Sequence, residues 1–422
     1  MFIKLDDALD WLYTRKRFSR REDLSLIEEA LRLLGNPEKS FRSIHIAGTN
    51  GKGSTSMYIY NILLKSGIKA GLFTSPHITC FNERIMFMGE NINDSDLLRL
   101  INKLYEFNNE FMKTHETLTF FEITTIISML YYKERGAEIV VYECGLGGRL
   151  DATNVIHPLV SIITVVEKDH MDVLGNTYKK IAKEKLGIVK YKVPLITAES
   201  KEELMPLFKA KCDDYDSELH LVRNVRSTKL SLKGTNFTYK GFNVQTPLIG
   251  LSQPKNASMA IECALVLRDF YSIDISYDSI LNGIKDVFWP ARFEFITGNI
   301  IIDGSHNEGA LNECFTTLKR FSNKKIVEIF GCMKDKDYPT MVSIIDENVE
   351  KVYFTKIDYP RALDPIELKK LSTKSVDEVY YNTKKVLKYA IKHLKKDEIL
   401  LINGSLYLAS EAREILMRNK KC

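Results

Sequence analysis

The stretch IHIAGTNGKGS, Ile44 to Ser54, restricts the fold of this chain more than any other. Two β-branched residues, Ile44 and Ile46, precede Gly48, Gly51 and Gly53, and apolar residues then recur at helical spacing (Met57, Tyr60, Leu64). The pattern predicts strand, glycine loop, helix. Glycines let backbone N–H groups curl round an anion without Cβ clashes, a helix N-terminus adds partial positive charge, and Lys52 can reach the outer phosphates of a nucleoside triphosphate. The loop departs from G-x-x-x-x-G-K-[ST]: Ile46 stands at the first glycine and Gly53 separates Lys52 from Ser54. The alternative is a glycine-rich turn with an incidental lysine. The strand and helix on either side favour phosphate.

A chain of 422 residues with 45% hydrophobic content can bury a large core and is expected to divide into two or three domains. Its 7 cysteines include no C-x-x-C pair, which argues against a disulfide framework or a zinc ribbon and for a reducing compartment, the cytoplasm. The N-terminal MFIKLDDALDWLYTRKRF carries early acids and no long apolar segment, so neither a secretory signal nor a transit peptide is expected. No stretch is long and apolar enough to span a bilayer. A net charge of +5 suits small anionic substrates and is too modest to imply nucleic acid. The basic run Arg15–Arg21 reads as a solvated face.

Along the chain, Ala70–Phe73 reads as a second strand that completes a βαβ unit and delivers Thr74-Ser75-Pro76-His77 to the ligand end of the sheet. That tetrapeptide is either a Ser-Pro turn or a hydroxyl metal ligand beside the phosphates. Helical patterns cover Ser95–Met112 and Phe121–Tyr132. Ala137–Tyr142 is a continuous apolar run, the mark of a central strand, and it ends at Glu143 before the sharp turn Gly145-Leu146-Gly147-Gly148. A carboxylate there occupies the position that holds Mg²⁺ in proteins with a phosphate loop. Leu159–Val166 is another buried strand, followed by Glu167-Lys168-Asp169-His170, a poor match to the guanine-specificity pattern Asn-Lys-x-Asp. Lys185 lies on a lysine-rich helical pattern and by itself reads as surface. Glu218–Gly250 alternates and turns like an antiparallel β subdomain. After Trp289-Pro290, short strands (Ile300–Ile302, Ile326–Phe330, Val352–Phe354, Ile399–Ile402) alternate with helices, a second doubly wound domain. The division expected is 1–287 for nucleotide binding, including the antiparallel subdomain, 288–296 as linker, and 297–422 as the smaller domain.

Together AGTNGKGS, TSPH, LTFFE, YECGLGGRLDATN, DH followed by EKLGIVK, and later RFE and DGSHN resemble the folylpolyglutamate synthase and dihydrofolate synthase family, a branch of the Mur ligases. The likeness covers nearly the whole chain. It implies an α/β protein: a P-loop-type, mostly parallel sheet domain with a small antiparallel β subdomain, and a smaller C-terminal Rossmann-like domain. It implies an ATP-dependent ligase that activates a folate or dihydropteroate carboxylate as an acyl phosphate, from which the amine of L-glutamate displaces phosphate.

The resemblance also implies roles. Gly48, Thr49, Asn50, Gly51, Lys52, Gly53 and Ser54 would hold the phosphates. Ser75, Glu143 and His170 would line the metal sites, the imidazole suggesting that Mn²⁺ serves as well as Mg²⁺. Lys185 matches a lysine that the family carries as a carbamate. Asp151 matches a carboxylate that takes two adjacent N–H groups of the pterin, while Thr119 and Phe121 border the same rings or, alternatively, act as helix N-cap and core aromatic. Asn256 would lie near adenine, Arg292 would clamp the γ-phosphate or acyl phosphate, and Asp303 and His306 would meet ATP and substrate. The loop Lys334–Asp337 is expected near the incoming glutamate. A monomer that closes its domains on its ligands is expected. Two alternatives remain at this stage: a cell-wall Mur ligase acting on a UDP-linked peptide, for which a separate N-terminal UDP-binding domain is not evident, and a nucleotide-switched binding module.

Overall fold

Short apolar runs separated by helices assemble in the computed structural model into two units, and the residues described are 1–16, 22–376 and 378–418. Residues 17–21 of the basic run therefore lie outside the described residues. The first unit comprises Met1–Val166, Asn176–Asn224 and Lys255–Ile284; the second comprises Glu167–Gly175, Val225–Pro254 and the chain from Lys285 onward. No helix among the described residues is long and apolar enough to cross a membrane.

The first unit is built on one eight-stranded sheet: β1 (Arg42–Ala47), β2 (Ala70–Phe73), β3 (Ile85–Phe87), β4 (Glu90–Asn91), β5 (Ile139–Glu143), β6 (Val160–Ile163), β7 (Leu195–Thr197) and β8 (Leu219–Leu221). Their order is β4-β3-β2-β5-β1-β6-β7-β8. Strands β2, β5, β1, β6, β7 and β8 are parallel, and β3 and β4 fold back antiparallel at one edge. The chain leaves β1 for β2 on one side and later returns to β6 on the other. The C-terminal end of β1 is thus a switch point, where an open α/β sheet leaves a crevice for ligands. One face is closed by the N-terminal helices and by the helices Asp94–Phe111 and Phe120–Arg135, whose Leu97, Leu104, Ile123 and Ile127 pack with Phe73, Val140 and Tyr142. The helix Phe120–Arg135 runs three residues past the expected Tyr132 and stops at Gly136, whose φ of 64° supplies the left-handed cap.

The second unit contains an antiparallel sheet, β9 (Arg226–Ser231), β10 (Gly234–Tyr239) and β11 (Phe242–Thr246), and a five-stranded sheet in the order β12-β13-β16-β14-β15. In the latter β12 (Glu294–Thr297) is antiparallel to β13 (Ile300–Ile302), while β13, β14 (Lys325–Phe330), β15 (Lys351–Phe354) and β16 (Glu398–Asn403) are parallel. Helices Glu308–Phe321 and Tyr338–Asn348 cover one face through Leu311, Phe315, Met341 and Ile345.

Two boundaries differ from the linear division. The antiparallel strands, expected with the nucleotide-binding domain, group with the C-terminal sheet: β9 packs on the helix Glu308–Phe321, Ser252 N donates to Glu313 at 2.7 Å, and Ile249 joins the core of Phe293 and Phe315. The expected linker 288–296 already contains the start of β12, because Glu294 accepts from Ala291 N and is gripped by Arg413 at 2.9 Å. Side-chain contacts made by residues far away in sequence decided both.

Candidate active site

Strand β1 ends at Ala47 and the chain turns through Gly48–Gly51 into the helix Lys52–Lys65, as the glycine pattern predicts. Gly48 sits at φ 146°, and a Cβ there would lie 1.8 Å from Thr164 Oγ1. That hydroxyl, just past the end of β6, donates to Asn50 O at 2.7 Å, and Thr49 N donates to Val165 O at 2.8 Å, so the neighbouring strand end holds the loop open. Lys52 Nζ donates to Gly48 O and Thr49 O at 3.0 and 3.2 Å. The loop carbonyls are thereby gathered under the ammonium, and a cation stands over the cradle. Asn256 packs against Gly51, whose Cβ would come within 2.5 Å of Asn256 Oδ1. The amide nitrogen of Asn256 is buried without a hydrogen-bond partner. The structure thus puts Asn256 at the loop itself, with a donor for a ligand.

Glu143 is the last residue of β5 and pairs in register with Ile46 of β1, so the acid and the loop leave neighbouring strands. Strand β2 flanks β5 on its other side, and Ser75 N donates to Glu143 Oε2 at 3.4 Å. Ser75 and Glu143 are therefore brought together through the Ser75 backbone. Their donor atoms are hard oxygens, and no group of three or more His, Cys, Asp or Glu that could hold a metal occurs among the described residues. This set fits Mg²⁺, which is held by one or two protein oxygens and otherwise by water and substrate phosphates.

Lys185 is 2% exposed although its helix mates Lys179, Lys180 and Lys183 are exposed. The surface reading of Lys185 from its basic helix is therefore corrected: the Gly145–Gly148 turn packs on this helix, with a Cβ at Gly148 only 3.0 Å from Lys185 O. Burial pushes the Cys144 thiol well up, while Lys52 and Lys185 both act on it electrostatically.

Asp151 is buried, and its oxygens are occupied: Oδ1 accepts from Thr153 N at 3.0 Å and from Thr153 Oγ1 at 2.6 Å, and Oδ2 accepts from Leu146 N at 2.8 Å. This carboxylate shapes the glycine turn. A bidentate grip on a pterin would require it to abandon those donors. Thr119 caps the helix Phe120–Arg135 in a reciprocal box, Glu122 N to Thr119 Oγ1 at 3.2 Å and Thr119 N to Glu122 Oε2 at 2.7 Å. Phe121 lies on Gly145, where a Cβ would be 2.6 Å from its ring, and 5.9 Å from the ring of Phe73. Both residues thus perform the helix-cap and packing tasks that were the alternative reading.

The remaining expected residues lie in the second unit. Asp303 Oδ1 accepts from Ser305 N at 2.9 Å and Oδ2 from Phe293 N at 2.8 Å, which ties the DGSHN loop to the segment carrying Arg292; Gly304 packs against Arg292 Nη1. Arg292, Asp303 and His306 are therefore close together. His170 belongs to this unit and is grouped with the DGSHN loop through its neighbour Asp169. Asp169 meets Lys336 Nζ at 2.6 Å, His306 Nε2 at 3.6 Å and Asn307 Nδ2 at 3.4 Å, and His170 Nδ1 is 3.7 Å from Asp335. Burial would raise the Asp169 pKa, but His306, Lys336 and His170 outweigh it and hold the carboxyl well below its usual range. Burial pushes His170 down to about 4, so the ring is neutral at pH 7 with a lone pair to offer.

Sequence reasoning quoted Asp169 and Asn307 within motifs without giving them a role, did not single out Thr164, and gave Lys336 no partner. Lys336 and Asp169, with 8% and 9% side-chain exposure, lie in distant charged loops, and nothing local marks them as a pair.

Family models match most of the chain: the Mur ligase middle domain over residues 46–264 and the Mur ligase glutamate ligase domain over 291–406. The fold is that of the Mur ligases. The dihydrofolate synthase/folylpolyglutamate synthase of Bacillus subtilis is 34% identical over 99% of this chain and 100% of its own, and the folylpolyglutamate synthase of Lacticaseibacillus casei is 33% identical over 98% and 99%. Among solved structures, an FPGS–AMPPCP–folate complex superposes with a TM-score of 0.88 at 31% identity, covering 98% of this chain and 100% of that one. This chain belongs to the folylpolyglutamate synthase/dihydrofolate synthase family.

Proposed function

We propose that this chain is an ATP-dependent ligase that adds L-glutamate to the carboxylate of a tetrahydrofolate, and to dihydropteroate as well, through an acyl phosphate. One observation carries the reading: full-length likeness to folate ligases in a chain whose Lys52 loop and Glu143 end neighbouring strands. That likeness also disfavours the cell-wall alternative and the nucleotide-switched module.

A carboxylate and an amine do not condense in water, so energy enters by phosphorylating the carboxylate. The first barrier is repulsion between that carboxylate and the γ-phosphate. Backbone N–H groups from Gly48 to Ser54, together with Lys52, neutralise the phosphate and hold it in line with the attacking oxygen. Glu143 and Ser75 are the residues that would hold Mg²⁺, which would supply positive charge to the same phosphates; His170, neutral at pH 7, has a nitrogen lone pair that would suit Mn²⁺ as well as Mg²⁺. The unpartnered Asn256 amide donates to the bound nucleotide. Lys185, buried under the Gly145–Gly148 turn, is the lysine that would carry the carbamate, its amine adding to CO₂ with release of a proton to give an anionic group. Arg292, with Asp303 and His306, serves the acyl phosphate and ATP. The pterin lies against the Gly145–Gly148 turn that Asp151 and Phe121 support. The enzyme acts as a cytoplasmic monomer.

The test is phosphate release from ATP in the presence of glutamate, with tetrahydrofolate, dihydropteroate or a UDP-muramoyl peptide as acceptor. Release with the two pteridine acceptors is expected. Release with the peptide alone would overturn the assignment.

A further inference from the structure

Glu328 is a carboxylic acid in the middle of β14, 0% exposed, on the face it shares with Ile326 and Phe330. Leu401 of β16 lies beside it in register and belongs, with Ile326 and Phe330 of the same face, to the apolar core of this unit. The titratable groups that act on it are the Cys314 thiol and the Asp346 carboxyl, and neither is a cation. Asn403, also 0% exposed, is the hydrogen-bonding side chain within its reach, and its pull on the Glu328 pKa is downward but smaller than the upward push of burial. Yet both Glu328 oxygens and Asn403 Oδ1 lack a hydrogen-bond partner. These three orphan atoms are all acceptors when the acid is ionised. One proton changes that.

The other end of the Asn403 amide points to the DGSHN loop. Asn403 Nδ2 donates to Ser305 Oγ at 3.4 Å, and Gly404 N donates to Ser305 O at 2.8 Å. Ser305 N donates to Asp303, and His306 Nδ1 bonds Gly304 O at 2.8 Å. Turned to serve Glu328 alone, the amide would give up Ser305 and still leave an ionised carboxylate in an apolar core without a counter-ion, which is far costlier than a neutral acid there.

We propose that Glu328 is a positioning residue, held as the neutral acid: its O–H donates to Asn403 Oδ1, which locks the Asn403 amide so that Nδ2 holds Ser305 and, through it, the backbone of Asp303 and His306. A buried polar chain of this kind does not stabilise the sheet relative to well-packed apolar residues, so its use lies in fixing the loop above it. Burial, which drives the Glu328 pKa well above the usual carboxyl range, supports the protonation. The effect on catalysis rests on the ligase reading given above.

The experiment compares wild type, Glu328→Gln and Glu328→Met. Difference infrared spectroscopy of wild type against Glu328→Gln at neutral pH should reveal the C=O stretch of a protonated carboxyl, absent from the variant; a carboxylate band in its place would overturn the proposal. This readout is independent of substrate and survives even if Glu328→Met does not fold. Glutamine can still donate to Asn403 Oδ1, so Glu328→Gln should keep wild-type kcat. Methionine cannot, so Glu328→Met should keep or raise Tm while kcat falls on the order of tenfold to a hundredfold with folate KM little changed. Wild-type kcat in a folded Glu328→Met, or equal loss in both variants, would overturn it. Should wild type itself fail to turn over folate, the functional reading falls, and the infrared result still decides the protonation.

Discussion

His45 offers a quantitative handle on the nucleotide-binding unit. It is wholly buried in β1, two residues before Ala47, with Nε2 at 2.7 Å from Thr153 Oγ1 and 3.1 Å from Cys144 Sγ, and Nδ1 without a partner. Thr153 gives its own proton to Asp151, so it accepts from His45, which assigns the proton to Nε2. Burial pushes the imidazole pKa from 6.5 down to about 3, and Lys190 adds to the effect. The unfolded chain therefore takes up a proton near pH 6.5 that the folded chain refuses until near pH 3. The stability tied to His45 is complete above pH 6.5 and falls as pH drops toward 3. Between pH 7 and pH 5 the loss is about 2 kcal/mol. The control is His45→Gln, which retains an N–H for Thr153 and cannot titrate. Denaturant unfolding followed by circular dichroism at both pH values should show wild type losing about 2 kcal/mol more than the variant. Equal losses would mean that His45 is solvated or paired in a way this geometry does not contain.

Four further outcomes are expected. Gly48→Ala forces a Cβ into Thr164 Oγ1 and should abolish ATP binding in calorimetric titration while costing the fold roughly 1–3 kcal/mol. Lys336→Met leaves Asp169 buried without its main cation and should cost about 3–5 kcal/mol in denaturant unfolding, most of it recovered in the double variant with Asp169→Asn. Glu143→Gln should raise the Mg²⁺ concentration needed for half-maximal ATP turnover by on the order of tenfold or more, read from a magnesium titration of phosphate release. Lys185→Ala should cripple turnover with unchanged circular dichroism, and small carboxylates should restore part of the rate; near-normal activity would refute the carbamate.

The glycine cradle, the apolar run ending in Glu143 and the alternation of strands and helices after Ile300 were all legible in the chain, because each is a local pattern with one backbone solution. Ser75 could be sent to the ligand end in advance, since a βαβ unit puts the ends of β1 and β2 on one side of the sheet, whereas its pairing with Glu143 came from the family resemblance. Lys185 could not be told from its exposed neighbours: burial of a lysine depends on which turn packs over it, here Gly145–Gly148. Asp151 has the right chemistry for a pterin, but only coordinates show Thr153 and Leu146 already using its oxygens.

What the amino-acid sequence determined unaided was the nucleotide loop, the two classes of sheet and the family, for these reside in short-range periodicity and in motif order. What only tertiary structure decided was the company each charged group keeps. The antiparallel strands group with the C-terminal sheet through Ser252 and Glu313, Asp169 finds Lys336 across 167 positions of chain, and Glu328 and Asn403 are buried on neighbouring strands. Such pairings depend on strand register and on burial, which set the electrostatic strength of a contact and which no local pattern encodes.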